Sequence, residues 1–202
     1  MLYFHIAAGS LALITGSLAL VLRKGSTPHK RMGDVFVGAM LLCSGAGLSL
    51  ALSSGNLFLL LVAILSLYLT LAGFNALFAL KYRSARLLGQ LLASAMAVGV
   101  VRFMTLALEA FQNGNAIAGM LLTLFGGLAG FLVVQDLRFY RHNKGSVMNQ
   151  HIGRMVGAWI STLSAFLVVN QTLTPPVFNW LAPTVIGVPI IVFWIRKFTR
   201  QS

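Results

Sequence analysis

The sequence predicts an all-α bundle of seven transmembrane helices, with the N-terminus outside and the C-terminus inside. Three observations predict it. Apolar residues make up 58% of the 202 residues and charged residues only 9%, against about 25% charged in a soluble domain. That much apolar side chain cannot be buried in one water-soluble core of this size. The apolar residues also fall into seven runs, each close to the ~20 residues that a hydrocarbon layer ~30 Å thick requires. Finally, fourteen of the fifteen Lys and Arg residues occupy alternate connections: Arg23, Lys24, Lys30 and Arg31; Lys81, Arg83 and Arg86; Arg138, Arg141, Lys144 and Arg154; Arg196, Lys197 and Arg200. Positive charge is retained on the cytoplasmic side of a membrane, so these four clusters mark the inner face.

The first apolar run, 2–22, has no basic residue before it and Arg23 and Lys24 after it. A secretory signal carries its positive charge in front, so this run reads as an uncleaved first span. The second and third spans, 34–52 and 57–80, are joined by "SSGN" (53–56). The fourth and fifth, 87–112 and 115–135, are joined through "QNGN" (112–115). The sixth and seventh, 149–169 and 175–195, are joined through "NQTLTPP" (170–176). Asn, Gly and Pro mark all three outer connections as turns. The inner connections hold the basic clusters, and the longest, about 136–148, leaves no room for a soluble domain. The chain is therefore expected to be a single transmembrane domain, 1–202.

Charge excludes one class and suggests partners. A net charge of +12 can signal nucleic-acid binding, but here the basic residues punctuate apolar segments as juxtamembrane anchors do. The expected partners are the bilayer, with anionic lipids at the cytoplasmic face, and an oligomeric copy or partner subunit, not nucleic acid. The lone cysteine, Cys43, allows no internal disulfide and reads as a small packing residue.

A short internal similarity links "KGSTPHKRMG" (24–33) and "KGSVMNQHIGRMVG" (144–157). Each places Lys-Gly-Ser, then His, then Arg-Met, then Gly, after a span that enters from outside. It is either a chance likeness of two short basic loops or the outline of two three-helix units joined by the fourth helix, a 3+1+3 parallel repeat of the kind known in transporters.

Two sets of residues stand out as candidate sites. Arg102, Thr105, Glu109 and Gln112 fall on one face of the fourth span. At 1.5 Å per residue, Arg102 lies about 22 Å along the helix from Leu87, in the outer half of the bilayer, where an Arg costs at least about 2.5–3.5 kcal/mol. His5 lies at a similar depth to Glu109. Arg102, Thr105, Glu109 and His5 are thus the candidate substrate-binding residues of an outer polar pocket. In it Arg102 would attract an anionic group, and Glu109 and His5 would carry proton-linked charge. The second set is His29, His142 and His151 at the inner face, a candidate ligand set for haem b, since histidine is a usual axial ligand of haem iron. The structural alternatives are a snorkelling Arg102 and interfacial histidines that contact lipid phosphate or a helix end. No His pair at helical spacing and no Cys partner indicates a bare metal site. Asp34 and Asp136 are expected to pair locally with Arg31 and Arg138. Gly126-xxx-Gly130 and Gly153-xxx-Gly157 read as helix-packing motifs, and Pro183 and Pro189 as breaks or kinks in the seventh span.

Three acidic residues leave little general acid–base equipment, so an enzyme is not the first expectation. Helix 7 has no Lys before Lys197, which removes a retinal-type reading of seven helices. The leading function is binding or transport of a small solute or proton through the outer pocket. The alternatives are a haem b electron-transfer protein that uses the inner histidines, and an accessory subunit of a membrane complex.

The opening "FHIAAGSLALITGSLALVLRKGSTPHKRMGDVFVGAM" (4–40) resembles that of an uncharacterised family of bacterial multispan predicted membrane proteins. The carrying residues are His5, Gly9, Gly16, His29, Lys30, Arg31 and Gly33. The later "HIGRMVGAWISTLSAF" (151–166) is similar to that family's second His-containing helix. The resemblance implies a multi-pass protein of the bacterial inner membrane whose His5, His29 and His151 merit testing. It implies no reaction.

Overall fold

The structure, a computed structural model, describes residues 1–142 and 145–199, with the side chains of all but His142 and Thr199. Among the described residues the chain is helical throughout, with seven helices long and apolar enough to cross a membrane. They are α1 (Leu2–Val21), α2 (Thr27–Ser54), α3 (Leu57–Asn75), α4 (Arg83–Gln112), α5 (Ala116–His142), α6 (Val147–Asn170) and α7 (Val177–Thr199). A 3-10 turn, Ala76–Phe78, extends α3. The chain is a multi-pass membrane protein of all-helical class, as its composition predicts.

Five helices reach further into the basic clusters than hydropathy suggests. α2 begins at Thr27 rather than 34, α4 at Arg83 rather than 87, and α6 at Val147 rather than 149, while α5 runs on to His142 rather than 135 and α7 to Thr199 rather than 195. Hydropathy marks the lipid-buried part of a helix, whereas the helix ends where its backbone is capped. Ser26 caps α2, its Oγ accepting from the His29 amide at 3.4 Å, and Pro28 suits the first turn. At the other end Gly55 takes a left-handed φ of 67° and stops α2. Asn56 then caps α3 by accepting from the Leu59 amide at 3.0 Å, and Asn115 does the same for α5 with Ala118 at 3.1 Å. Helix α7 continues through Pro183 and Pro189 without a break.

Helix α3 is central and packs against α2, α4 and α6. α1 lies along α2 and also touches α6; α5 lies along α4, and α7 along α6. The two three-helix units outlined by the short repeat are therefore packed differently, since α1 is paired with α2 but α5 with α4. The core between them is apolar and includes Phe36, Met40, Leu65, Leu69, Met96, Phe103 and Ala158. Large apolar side chains such as Val98, Val101, Leu108 and Val185 stay exposed on the bundle's outside, as lipid-facing residues do.

Glycine sets the closest approach. A Cβ on Gly73 of α3 would lie 2.9 Å from the Arg154 Cβ and 2.9 Å from the Met155 Sδ of α6. The absent side chain lets α3 and α6 meet at this level, which is where the inner polar groups gather.

Candidate functional site

The polar groups separate into three places. The first is a cavity of ≈ 290 Å³ at the basic end of the bundle, bounded by α1, α2, α3, α6 and α7. Its walls are apolar: Phe36 and Val37 from α2, Phe74 and the adjoining Leu77, Ile152, Met155, Val156 and Trp159 from α6, and Trp194 and Phe198 from α7. Gly16 closes the deep end, where an added Cβ would lie 2.9 Å from both the Phe36 ring and Trp159 Cδ1. Trp159 is held there by donating its indole N–H to Ser17 Oγ at 3.0 Å. Gly25, Lys30 and Asp34 line the other end and are exposed, so the cavity opens at the basic face.

His29 and His151 both line this cavity. His29 Nδ1 lies 3.0 Å from the carbonyl oxygen of Ala19, in the last turn of α1. His151 Nδ1 lies 2.9 Å from the carbonyl oxygen of Gly73, near the end of α3. Carbonyls near helix ends are available because the last four lack partners within the helix. A carbonyl can only accept, so each Nδ1 carries the proton. In the neutral imidazole each Nε2 is then a bare lone pair. Neither Nε2 has a hydrogen-bond partner among the described residues. Lys24 completes the mouth. Its Nζ donates to Ala19 O at 2.7 Å and Leu20 O at 2.8 Å, and sits 4.6 Å from the centre of the Trp194 ring. Burial pushes the Lys24 pKa down to about 8. The backbone of His142 ends α5, but its side chain lies outside the described residues, as do Lys144 and Arg200.

The second place is a buried ion pair that the sequence does not announce. Asp136 of α5 and Arg154 of α6 are 1% and 2% exposed, and Arg154 Nη2 donates to Asp136 Oδ1 at 2.7 Å. Arg154 also donates to Leu132 O at 3.0 Å and Gln135 Oε1 at 3.1 Å, and the Tyr68 hydroxyl of α3 donates to Asp136 Oδ2. The expected local pair of Asp136 with Arg138 is therefore corrected. Residues two apart on a helix do not face each other, whereas Arg154 reaches across from the neighbouring helix. Beside it, Asn75 Nδ2 donates to Ala85 O at 2.8 Å and to the Tyr140 hydroxyl at 3.4 Å, and that hydroxyl donates to Ala72 O at 3.3 Å. These bonds tie α3, α4, α5 and α6 together.

The third place is the polar face of α4. Arg102 Nη1 donates to Thr105 Oγ1 at 3.1 Å and to Glu109 Oε1 at 3.3 Å. The two turns between Arg102 and Glu109 are spanned by the side chains themselves. The pair lies on the outside of the bundle, with the side chains 44% and 54% exposed. Gln112 is exposed as well. His5 is elsewhere: its Nδ1 lies 2.9 Å from Cys43 O of α2, and its ring fits against Gly47. The structure thus brings Arg102, Thr105 and Glu109 together and leaves His5 on the α1–α2 pair.

Sequence reasoning found the two cavity histidines but not their tautomers, the tryptophans or the place of Lys24. Spacing gave one clue to Arg154, which falls three residues after His151 on the same helix. Comparison with models of known families, with curated proteins and with solved structures finds no match.

Proposed function

We propose that this protein is a membrane-embedded binding protein whose site is the cavity at the basic end of the bundle. One observation carries the proposal: two histidines from different helices, each with its Nδ1 on a backbone carbonyl and its Nε2 without a partner among the described residues, line one apolar cavity. A group that accepts two lone pairs is either a hydrogen-bond donor or a Lewis acid, and the walls require the rest of the ligand to be apolar. A cavity of this size falls at the lower end of the roughly 300–1,000 Å³ typical of small-molecule pockets. The resemblance of the opening helices supports a setting in the bacterial cytoplasmic membrane, with the cavity opening inward.

A solute path through the outer half, built on Arg102, Thr105, Glu109 and His5, has less support. The first three share an open helix face, and the fourth sits on another pair of helices.

The test is 4-bromophenol, which has an apolar ring, a hydroxyl donor and a heavy atom that quenches tryptophan. The purified full chain should show saturable quenching of Trp159 and Trp194. Gly33 lines the cavity, and a Cβ built on it meets nothing within 4 Å. Gly33→Leu should therefore fill the space and abolish the saturable part at least tenfold. Quenching that is linear, or that is unchanged in Gly33→Leu, would refute the cavity as a binding site.

A further inference from the structure

We infer that the ligand class of this cavity is an iron porphyrin of the haem b type, with His29 and His151 as its two axial ligands. The inference rests on the binding reading above and goes one step further, to the chemistry that satisfies both imidazoles at once.

The number of ligands selects the metal species. Among the described residues no group of three or more His, Cys, Asp or Glu side chains is placed to hold a metal. A bare transition-metal ion needs about four protein ligands for a closed site, so two histidines are too few. A porphyrin iron arrives with four equatorial nitrogens and needs only the two axial positions filled. Facing helices of a bundle supply such positions. The imidazoles have the form that iron requires, with Nδ1–H held by a backbone carbonyl and Nε2 unprotonated. This is the usual outer-shell support of a ligating histidine.

The walls and the mouth fit the remainder of the molecule. A porphyrin face is apolar and aromatic, and the cavity offers Phe36, Phe74, Met155 and Trp159. Its two propionates are anionic, and at the open end Lys24 and Lys30 outnumber the one carboxylate, Asp34. The macrocycle is larger than the enclosed volume, so its propionate edge stays in that mouth. Attachment is noncovalent, because the only cysteine, Cys43, is beside His5 on the outer half of α2.

The experiment is titration of the purified full chain in detergent with hemin, followed by reduction with dithionite. One haem per chain is expected, with the sharp α and β bands of six-coordinate, low-spin iron. His29→Gly and His151→Gly should each give a five-coordinate, high-spin spectrum, and added imidazole should restore the low-spin bands. Gly33→Leu keeps both histidines and should lower hemin affinity at least tenfold. A low-spin spectrum that survives both histidine replacements would overturn the inference, as would hemin uptake no greater than that of empty micelles. If 4-bromophenol still saturates in a protein that does not take hemin, the haem assignment falls and the cavity reading stands. If neither binds, both fall.

Discussion

At the scale of single residues, the largest energies belong to Asp136 and Arg154. Both charges are out of reach of water and lipid headgroups, so each depends on the other. Asp136→Asn leaves the guanidinium uncompensated and should destabilise the protein by about 3–5 kcal/mol, the usual cost of breaking a buried pair from one side. Replacing both together, Asp136→Leu with Arg154→Met, should recover most of that loss, because an apolar pair of similar volume needs no compensation. Thermal unfolding in detergent measures both. A single variant as stable as the parent would mean that water reaches the pair. Lys24 is a smaller, titratable case. With its pKa lowered to about 8, it sheds its proton within an accessible range, and with it the cation–π contact to Trp194. The folded state then binds fewer protons than the unfolded state between pH 8 and the ordinary lysine value of 10.5. Stability should therefore rise with pH across that window. Trp194 emission should step near pH 8, and the step should vanish in Lys24→Met; a step that persists there would belong to another group.

At the scale of elements, the spans were legible because hydropathy and turn residues are local signals. "SSGN" and "QNGN" fall where α2 gives way to α3 and α4 to α5, and the αL glycine and the capping asparagines explain why. The helix starts in the basic connections were less legible. A Ser26 cap and a first-turn Pro28 lengthen α2 by a turn and more, and this places His29 in its first turn, where its Nδ1 reaches the Ala19 carbonyl of α1. The buried pair was illegible for a different reason. Arg154 lies in a basic cluster by sequence, and only the close contact of α3 with α6 at Gly73 shows that it points inward. Its partner Asp136 is 18 positions away, Tyr68 is 68 positions from that Asp136, and no periodicity within one helix links the three. The polar stripe of α4 does form one face over Arg102, Thr105 and Glu109, with Arg102 reaching both of the others. Which way that face looks depends on how α4 is flanked by α3 and α5, and spacing carries no information about that.

At the scale of the whole molecule, one asymmetry ties the site to the membrane. Seven crossings bring every basic connection to the same end of the bundle, and the cavity opens at that end beside Lys24 and Lys30. Retention of positive charge in the cytoplasm would orient the cavity inward, and anionic lipids of that leaflet would add about 1 kcal/mol per nearby Lys or Arg. The orientation can be measured with single cysteines in a Cys43→Ser background. Gly114 and Ser84 suit the purpose: Gly114 lies in the turn after α4 and Ser84 in the first turn of α4, at opposite ends of that helix. In intact cells a membrane-impermeant maleimide should label Gly114→Cys within minutes and leave Ser84→Cys unlabelled. Permeabilisation should then expose Ser84→Cys. The reverse pattern would turn the bundle over and put the mouth of the cavity outside. It would also mean that fourteen basic residues had been carried across the membrane, against the tendency on which the orientation depends. Labelling of both positions in intact cells would show that α4 does not cross the membrane, although its thirty residues are more than the ~20 that a crossing needs.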